Sequence, residues 1–179
     1  MDKLTIYYED GKKSCQKFAE VFSQYGNVEC RKASEHSARG FIFENQGKTG
    51  FLFESDDGKI PFSIMHILQR IVLDKKESHL ILVSGGRRET EAAVAAREEM
   101  QKRGYQADHV YTRYLLEKFK MSPEDAAGRI LNNLEEGRES ITLLSEKYGN
   151  YSKKEFRQHL IREIRAYRKS MREKRRQRD

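Results

Sequence analysis

The chain has 179 residues, 37% hydrophobic and 35% charged, with a net charge of +7, two cysteines and no tryptophan. That length suits one domain of ordinary size plus a tail. No apolar run approaches the ~18 residues of a membrane span, so the expectation is a protein with no membrane segment. Cys15 and Cys30 are isolated and form no CxxC pair, which leaves a disulfide framework, a zinc ribbon and a cysteine-ligated iron–sulfur cluster without support.

The charge is unevenly placed. Residues Tyr151 to Asp179 hold 12 Lys/Arg and 4 Asp/Glu, a net +8, while the preceding residues hold 23 and 24, a net −1. The basic character therefore belongs to the C-terminal end. Phe156, Leu160, Ile164 and Tyr167 recur there at helical spacing, and only charge follows Met171. The division expected is a domain over residues 1–147 and a basic helix or tail over 148–179. Such a tail is either a docked helix with a solvated end or a surface for nucleic acid or an acidic protein.

The start, MDKLTIYYED, opens as a strand at Lys3 to Tyr8 and lacks a signal peptide's basic start and apolar middle, which reads as cytoplasmic. Lys12 to Tyr25 has helical periodicity, with Cys15, Phe18, Ala19, Val21 and Phe22 on one face and Gly26 as its stop. Asn27 to Lys32 is a short strand with Val28 and Cys30 inward. Ser34 to Lys48 is short for a helical crossover; a reduced helix or an extra extended segment around Phe41, Ile42 and Phe43 is expected. Thr49 to Ser55 is an apolar strand, followed by a loop through Pro61 and a helix FSIMHILQRIVL from Phe62 to Leu73. His79 to Ser84 is the next strand, followed by a Gly85-Gly86 turn and a helix that begins at Arg87-Arg88 and closes at Gly104. Gln106 to Tyr111 is a fifth strand. Ser122-Pro123-Glu124-Asp125 opens the last helix, with serine as N-cap and proline at the first position, continuing loosely to Leu144.

Successive strand–helix units require a parallel sheet, since parallel neighbours need a crossover of a dozen or more residues. With right-handed crossovers the expected fold is a three-layer α/β sandwich around five strands in the order 2-1-3-4-5. The ligand crevice then lies at the carboxyl ends of the first, third and fourth strands. Its loops are Glu9 to Ser14, Glu54 to Pro61 and Ser84 to Glu89. No Ser/His/Asp or Cys/His set emerges from spacing, and His36, His79, His109 and His159 share no ligand spacing. His66 falls on the inner stripe of its helix. Glu54, Asp56 and Asp57 are either a solvated acidic loop or a divalent-cation site.

Three motifs in this order carry a resemblance. They are Tyr7-Tyr8-Glu9-Asp10-Gly11-Lys12-Lys13-Ser14 leading into a helix, Gly50-Phe51-Leu52-Phe53 followed by a loop ending in Ile60-Pro61, and Val83-Ser84-Gly85-Gly86. Over residues 3 to 135 the chain resembles the flavodoxin-like family, in particular the short bacterial flavodoxin domains often fused to ferredoxin modules. The resemblance implies FMN as cofactor. Gly11, Lys12, Lys13 and Ser14 would hold its phosphate, and Ser55, Gly58, Ser84, Gly85 and Gly86 would line the rest of the site. It implies electron transfer or flavin-dependent oxidoreductase chemistry with a redox partner protein, and it allows a homodimer. The chain departs from the family pattern at the phosphate loop. Of the expected hydroxyls only Ser14 remains, Glu9 and Asp10 replace small neutral residues, and Glu54 replaces a proline. Two functions are therefore expected in competition: FMN-based redox chemistry, or a flavin-free binding module that acts through the basic tail.

Overall fold

The computed structural model describes residues 3–118 and 120–137, together with residues 158, 161, 162 and 165. Five parallel strands form the central sheet: β1 (Leu4–Tyr8), β2 (Val28–Lys32), β4 (Lys48–Ser55), β6 (Ser78–Gly86) and β7 (Gln106–Thr112). Leu4, Ile6, Phe51, Leu52, Phe53 and the run Leu80 to Val83 are all fully buried, as strands covered on both faces must be. Counted over the described residues, the order is β2-β1-β4-β6-β7 rather than 2-1-3-4-5. Two short strands not counted from the sequence, β3 (Ile42–Glu44) and β5 (Ile71–Leu73), intervene in the chain and pair parallel with each other outside the main sheet.

The first helix, α1 (Lys13–Phe22), buries Cys15, Phe18, Ala19, Val21 and Phe22, the face its periodicity predicts. It packs on β1, β2 and β4 and against α6 (Pro123–Glu135). On α6, Ser122 accepts a hydrogen bond from the Asp125 N–H at 3.1 Å and donates to Oδ2 of Asp125 at 2.9 Å, so both ends of the predicted cap are engaged. A second helical group comprises α2 (Ala33–His36), α3 (Phe62–Leu68) and α4 (Glu89–Lys102). Here α3 meets both α2 and α4, and α4 lies on β6 and β7. A short helix, α5 (Arg113–Lys118), follows β7 and has no counterpart in the sequence reading.

Three boundaries differ from expectation. The reduced helix and the extended segment offered as alternatives for residues 34–48 both occur, as α2 and β3. The helix expected to run from Phe62 to Leu73 stops at Leu68, because Ile71–Leu73 pairs with Ile42–Glu44 instead. Gly85-Gly86 is not a turn. The β4–β6 register shifts between Phe53 and Glu54, so Glu54 pairs with Gly85 and Ser55 with Gly86, and the strand continues to Gly86. The chain turns at Arg87 and Arg88, the latter left-handed at φ 56° as the N-cap of α4. The expected continuation to Leu144 and the boundary and tail at 148–179 fall outside the described residues, apart from the four isolated positions.

Candidate functional site

The carboxyl ends of β1, β4 and β6 are adjacent, where an open parallel sheet places its ligand crevice. The bulge beside Glu54 turns its side chain toward the first turn of α1. There the Ser14 hydroxyl donates to Oε1 of Glu54 at 2.7 Å. With that proton committed, Ser14 accepts from Ser84, whose hydroxyl lies 2.7 Å away, and Ser84 in turn accepts from the Cys15 thiol at 3.1 Å. One directed chain thus runs Cys15, Ser84, Ser14, Glu54, from a fully buried thiol to a half-buried carboxylate. Burial pushes the Cys15 thiol up to about 11, against a lowering effect of the Ser84 and Ser14 hydroxyls and with the nearby Glu9 and Glu54 adding to the rise, so it stays protonated at neutral pH.

Glu9, the first residue after β1, faces the same crevice. Its Oε2 accepts from the Glu54 backbone N–H at 3.0 Å, while its own N–H donates to the Leu52 carbonyl at 2.9 Å. Burial raises the Glu9 carboxyl above its ordinary range. The Glu54 N–H and Lys12 oppose that shift, and the charges of Glu54 and Asp56 add to it. Lys12 Nζ stands 3.8 Å from Oε2 of Glu54, a half-exposed pair of small energetic weight. Asp10 turns away from the crevice and binds Ser34, accepting from its N–H at 3.0 Å and its hydroxyl at 2.8 Å. Burial alone would raise the Asp10 carboxyl, but these two hydrogen bonds outweigh it and hold it below its ordinary value.

Six of the nine residues expected to hold cofactor fall into two groups. Ser14, Ser84 and Gly85 come together around Glu54. Ser55, Gly58 and Gly86 come together one layer further along β4 and β6. There the Ser55 hydroxyl donates to the Arg87 carbonyl and accepts from the Gly58 N–H at 2.9 Å. Gly86 has φ +92°, and a Cβ placed on it would lie 2.2 Å from the Ser55 carbonyl oxygen, so only glycine fits. Gly11 and Lys13 are exposed and join neither group, and Lys12, also exposed, lies 3.8 Å from Glu54. The acidic loop is tied internally. Asp56 and Lys59 exchange backbone hydrogen bonds, and Asp57 lies 3.9 Å from Arg87. Among the described residues no three His, Cys, Asp or Glu side chains converge as metal ligands. His66 is half-buried rather than core, against the Arg70 guanidinium at 2.9 Å and the Phe62 ring. Tyr7 is a buried strand residue whose hydroxyl donates to Glu44 at 2.8 Å; burial, then that bond, pushes it up to about 12.

An FMN phosphate does not suit this arrangement. The one hydroxyl left to bind it, on Ser14, is already a donor to Glu54. Glu9 and Glu54 present carboxylates to the same space. A carboxylate ~4 Å from a phosphate dianion costs about 2 to 8 kcal/mol between a watery and a surface dielectric. Gly85 offers no bare surface to a flat ring either. It is buried, and a Cβ there would meet Oε1 of Glu54 at 3.4 Å and a guanidinium nitrogen of Arg113 at 3.5 Å.

Two participants were not anticipated from the sequence. Arg113, on α5, lies 3.2 Å from Oε1 of Glu89, and Oε2 of Glu89 accepts from the Tyr114 N–H at 2.9 Å. Glu89 is only 8% exposed, and burial raises its carboxyl in spite of these partners. No local signal marks either residue; they are joined only by the adjacency of β6 and β7. A cleft of about 340 Å³ opens beside them, lined by Gly86, Arg88, Glu89 and Tyr114. No protein-family model matches this chain, and no curated protein and no solved structure compared with it matches either.

Proposed function

We propose that this chain has a flavodoxin-like three-layer fold that works without flavin, as a binding module whose basic C-terminal segment engages nucleic acid. The observation that carries this reading is the Ser14–Glu54 hydrogen bond at 2.7 Å, which puts the protein's own carboxylate where the resemblance expects a cofactor phosphate. The parallel five-stranded sheet and the two helical groups support the fold. The charge division supports the partner. A body near neutrality carries a segment of net +8, and a density of Lys and Arg with interspersed Tyr151, Phe156 and Tyr167 suits a phosphate backbone and its bases. The competing reading, FMN-dependent electron transfer with a redox partner, keeps in its favour the order of the three loops.

The test is fluorescence anisotropy with a labelled single-stranded oligonucleotide, using the full chain and a chain lacking residues 151–179. The full chain is expected to bind with log K falling linearly against log salt, and the shortened chain to lose that binding. Binding that survives the deletion, or no binding at low salt, would refute the assignment. Equal displacement by polyglutamate would move the partner to an acidic protein.

A further inference from the structure

Among the described residues the central sheet ends at β2, which pairs with β1 on one side only. The Leu4 N–H donates to the Asn27 carbonyl at 3.0 Å, and Leu4 stands opposite Val28. In a parallel ladder this phase turns the backbone groups of Glu29 and Arg31 toward β1 and those of Cys30 outward. The Cys30 N–H and C=O, without a backbone partner among the described residues, therefore face the free edge. A groove of about 530 Å³ runs beside that edge, lined by Glu29, Cys30, Arg31 and Lys32, with His36 and Arg39 on its rim.

Open edges are usually blocked by charge, and β2 carries three charged residues in five. Their placement, however, is self-complementary. An antiparallel strand of the same sequence, set on a two-fold axis at Cys30, brings Glu29 of each copy opposite Arg31 of the other and Val28 opposite Lys32. An arbitrary strand meets those charges unmatched. Glu29 and Arg31 already lie on one face of the sheet, 2.7 Å apart within the chain, so a second copy extends that pair into a four-charge row. Such isologous pairing is the commonest form of homo-oligomer. Arg31 is itself anchored to Glu44 of β3. The same short segment exposes Phe41 and Phe43, 70% and 68% accessible with ring centroids 6.5 Å apart, which gives this side of the molecule apolar surface.

We propose that two copies of this chain pair antiparallel along β2, about a two-fold axis at Cys30, and join their sheets into one. The occupant is a second copy because the Glu29–Cys30–Arg31 triplet matches its own reverse. Opposite residues there form a hydrogen-bonded pair, with Cα atoms about 5.5 Å apart, and the two Cys30 thiols fall within reach of each other.

Sedimentation of the full chain over a concentration series tests this. The wild type is expected at twice the 21.1 kDa chain mass. Glu29→Lys sets like charges opposite each other at both ends of the pairing and should weaken association about tenfold or more. Cys30→Pro removes the outward N–H, which the chain's own sheet does not use, together with a half-buried thiol, and should also give monomer, whereas Cys30→Ala, which removes the thiol alone, should stay dimeric. Far-UV circular dichroism confirms that each variant is folded. A short bis-maleimide should join Cys30 to Cys30 in the wild type and not in Glu29→Lys, with Cys15 silent because it is fully buried. A wild type that stays monomeric, or a dimer indifferent to Glu29→Lys and Cys30→Pro, overturns the pairing.

Discussion

His109 makes acid stability a calculable property of this fold. It lies on β7 opposite Leu80, is 2% exposed, and its Nδ1 has no hydrogen-bond partner among the described residues. Burial, then the positive charges of Lys48 and His79, push it down to about 4 from an ordinary 6.5. The folded state therefore holds the imidazole neutral while the unfolded chain takes up a proton below 6.5. The unfolded state binds more protons in that window, so stability rises with pH through it and is lost as pH falls toward 4. The linkage amounts to about 2 kcal/mol lost at pH 5 and about 3 kcal/mol at pH 4, relative to pH 7.5. His79, also lowered by burial, acts in the same sense. The assay is urea unfolding at pH 7.5, 6 and 5 for the wild type and His109→Leu. The variant should lose about 2 kcal/mol less between pH 7.5 and 5, and at pH 7.5 it should match or exceed the wild type, because an unsatisfied buried nitrogen is gone. Carboxylates held low, such as Glu29 at about 2, act mainly below this window and are common to both proteins. Parallel pH profiles for the two proteins would refute the reasoning.

Ser14→Ala removes a hydrogen bond to a charged acceptor and leaves the Ser84 hydroxyl only the Phe53 carbonyl, 3.4 Å away, to donate to. A loss of about 1.5 to 3 kcal/mol is expected, seen as a fall in Tm of about 3 to 12 °C by calorimetry. Gly86→Ala drives a Cβ to 2.2 Å from a backbone oxygen at φ +92° and should cost more than about 2 kcal/mol in urea unfolding. Gly11→Ala, with no atom within 4 Å of the added carbon, should stay within about 0.5 kcal/mol and serves as its control.

Much of the fold is legible from local pattern, and its failures have a common cause. The inner face of α1 reads residue by residue because five apolar side chains at helical spacing admit one buried face. FSIMHILQRIVL misleads because a short apolar run satisfies helix and strand alike. What makes Ile71–Leu73 a strand is Ile42–Glu44, some thirty residues earlier. Gly85-Gly86 has turn composition, but the bulge at Glu54 keeps both glycines paired with β4. At the site, Glu9 and Glu54 are legible as departures from the family pattern and Ser14 as the one phosphate-loop hydroxyl kept. That Ser14 and Glu54 satisfy each other is not, because the bond spans forty residues and depends on the β1–β4–β6 adjacency. Arg113 and Glu89 were missed for the same reason.

Whether Glu54 and Glu9 stand in place of a cofactor phosphate is decided by calorimetric titration of FMN into the purified full chain at pH 7.5. No saturable heat and no quenching of flavin fluorescence are predicted. A stoichiometric complex that quenches the flavin, or protein that purifies yellow, would contradict it.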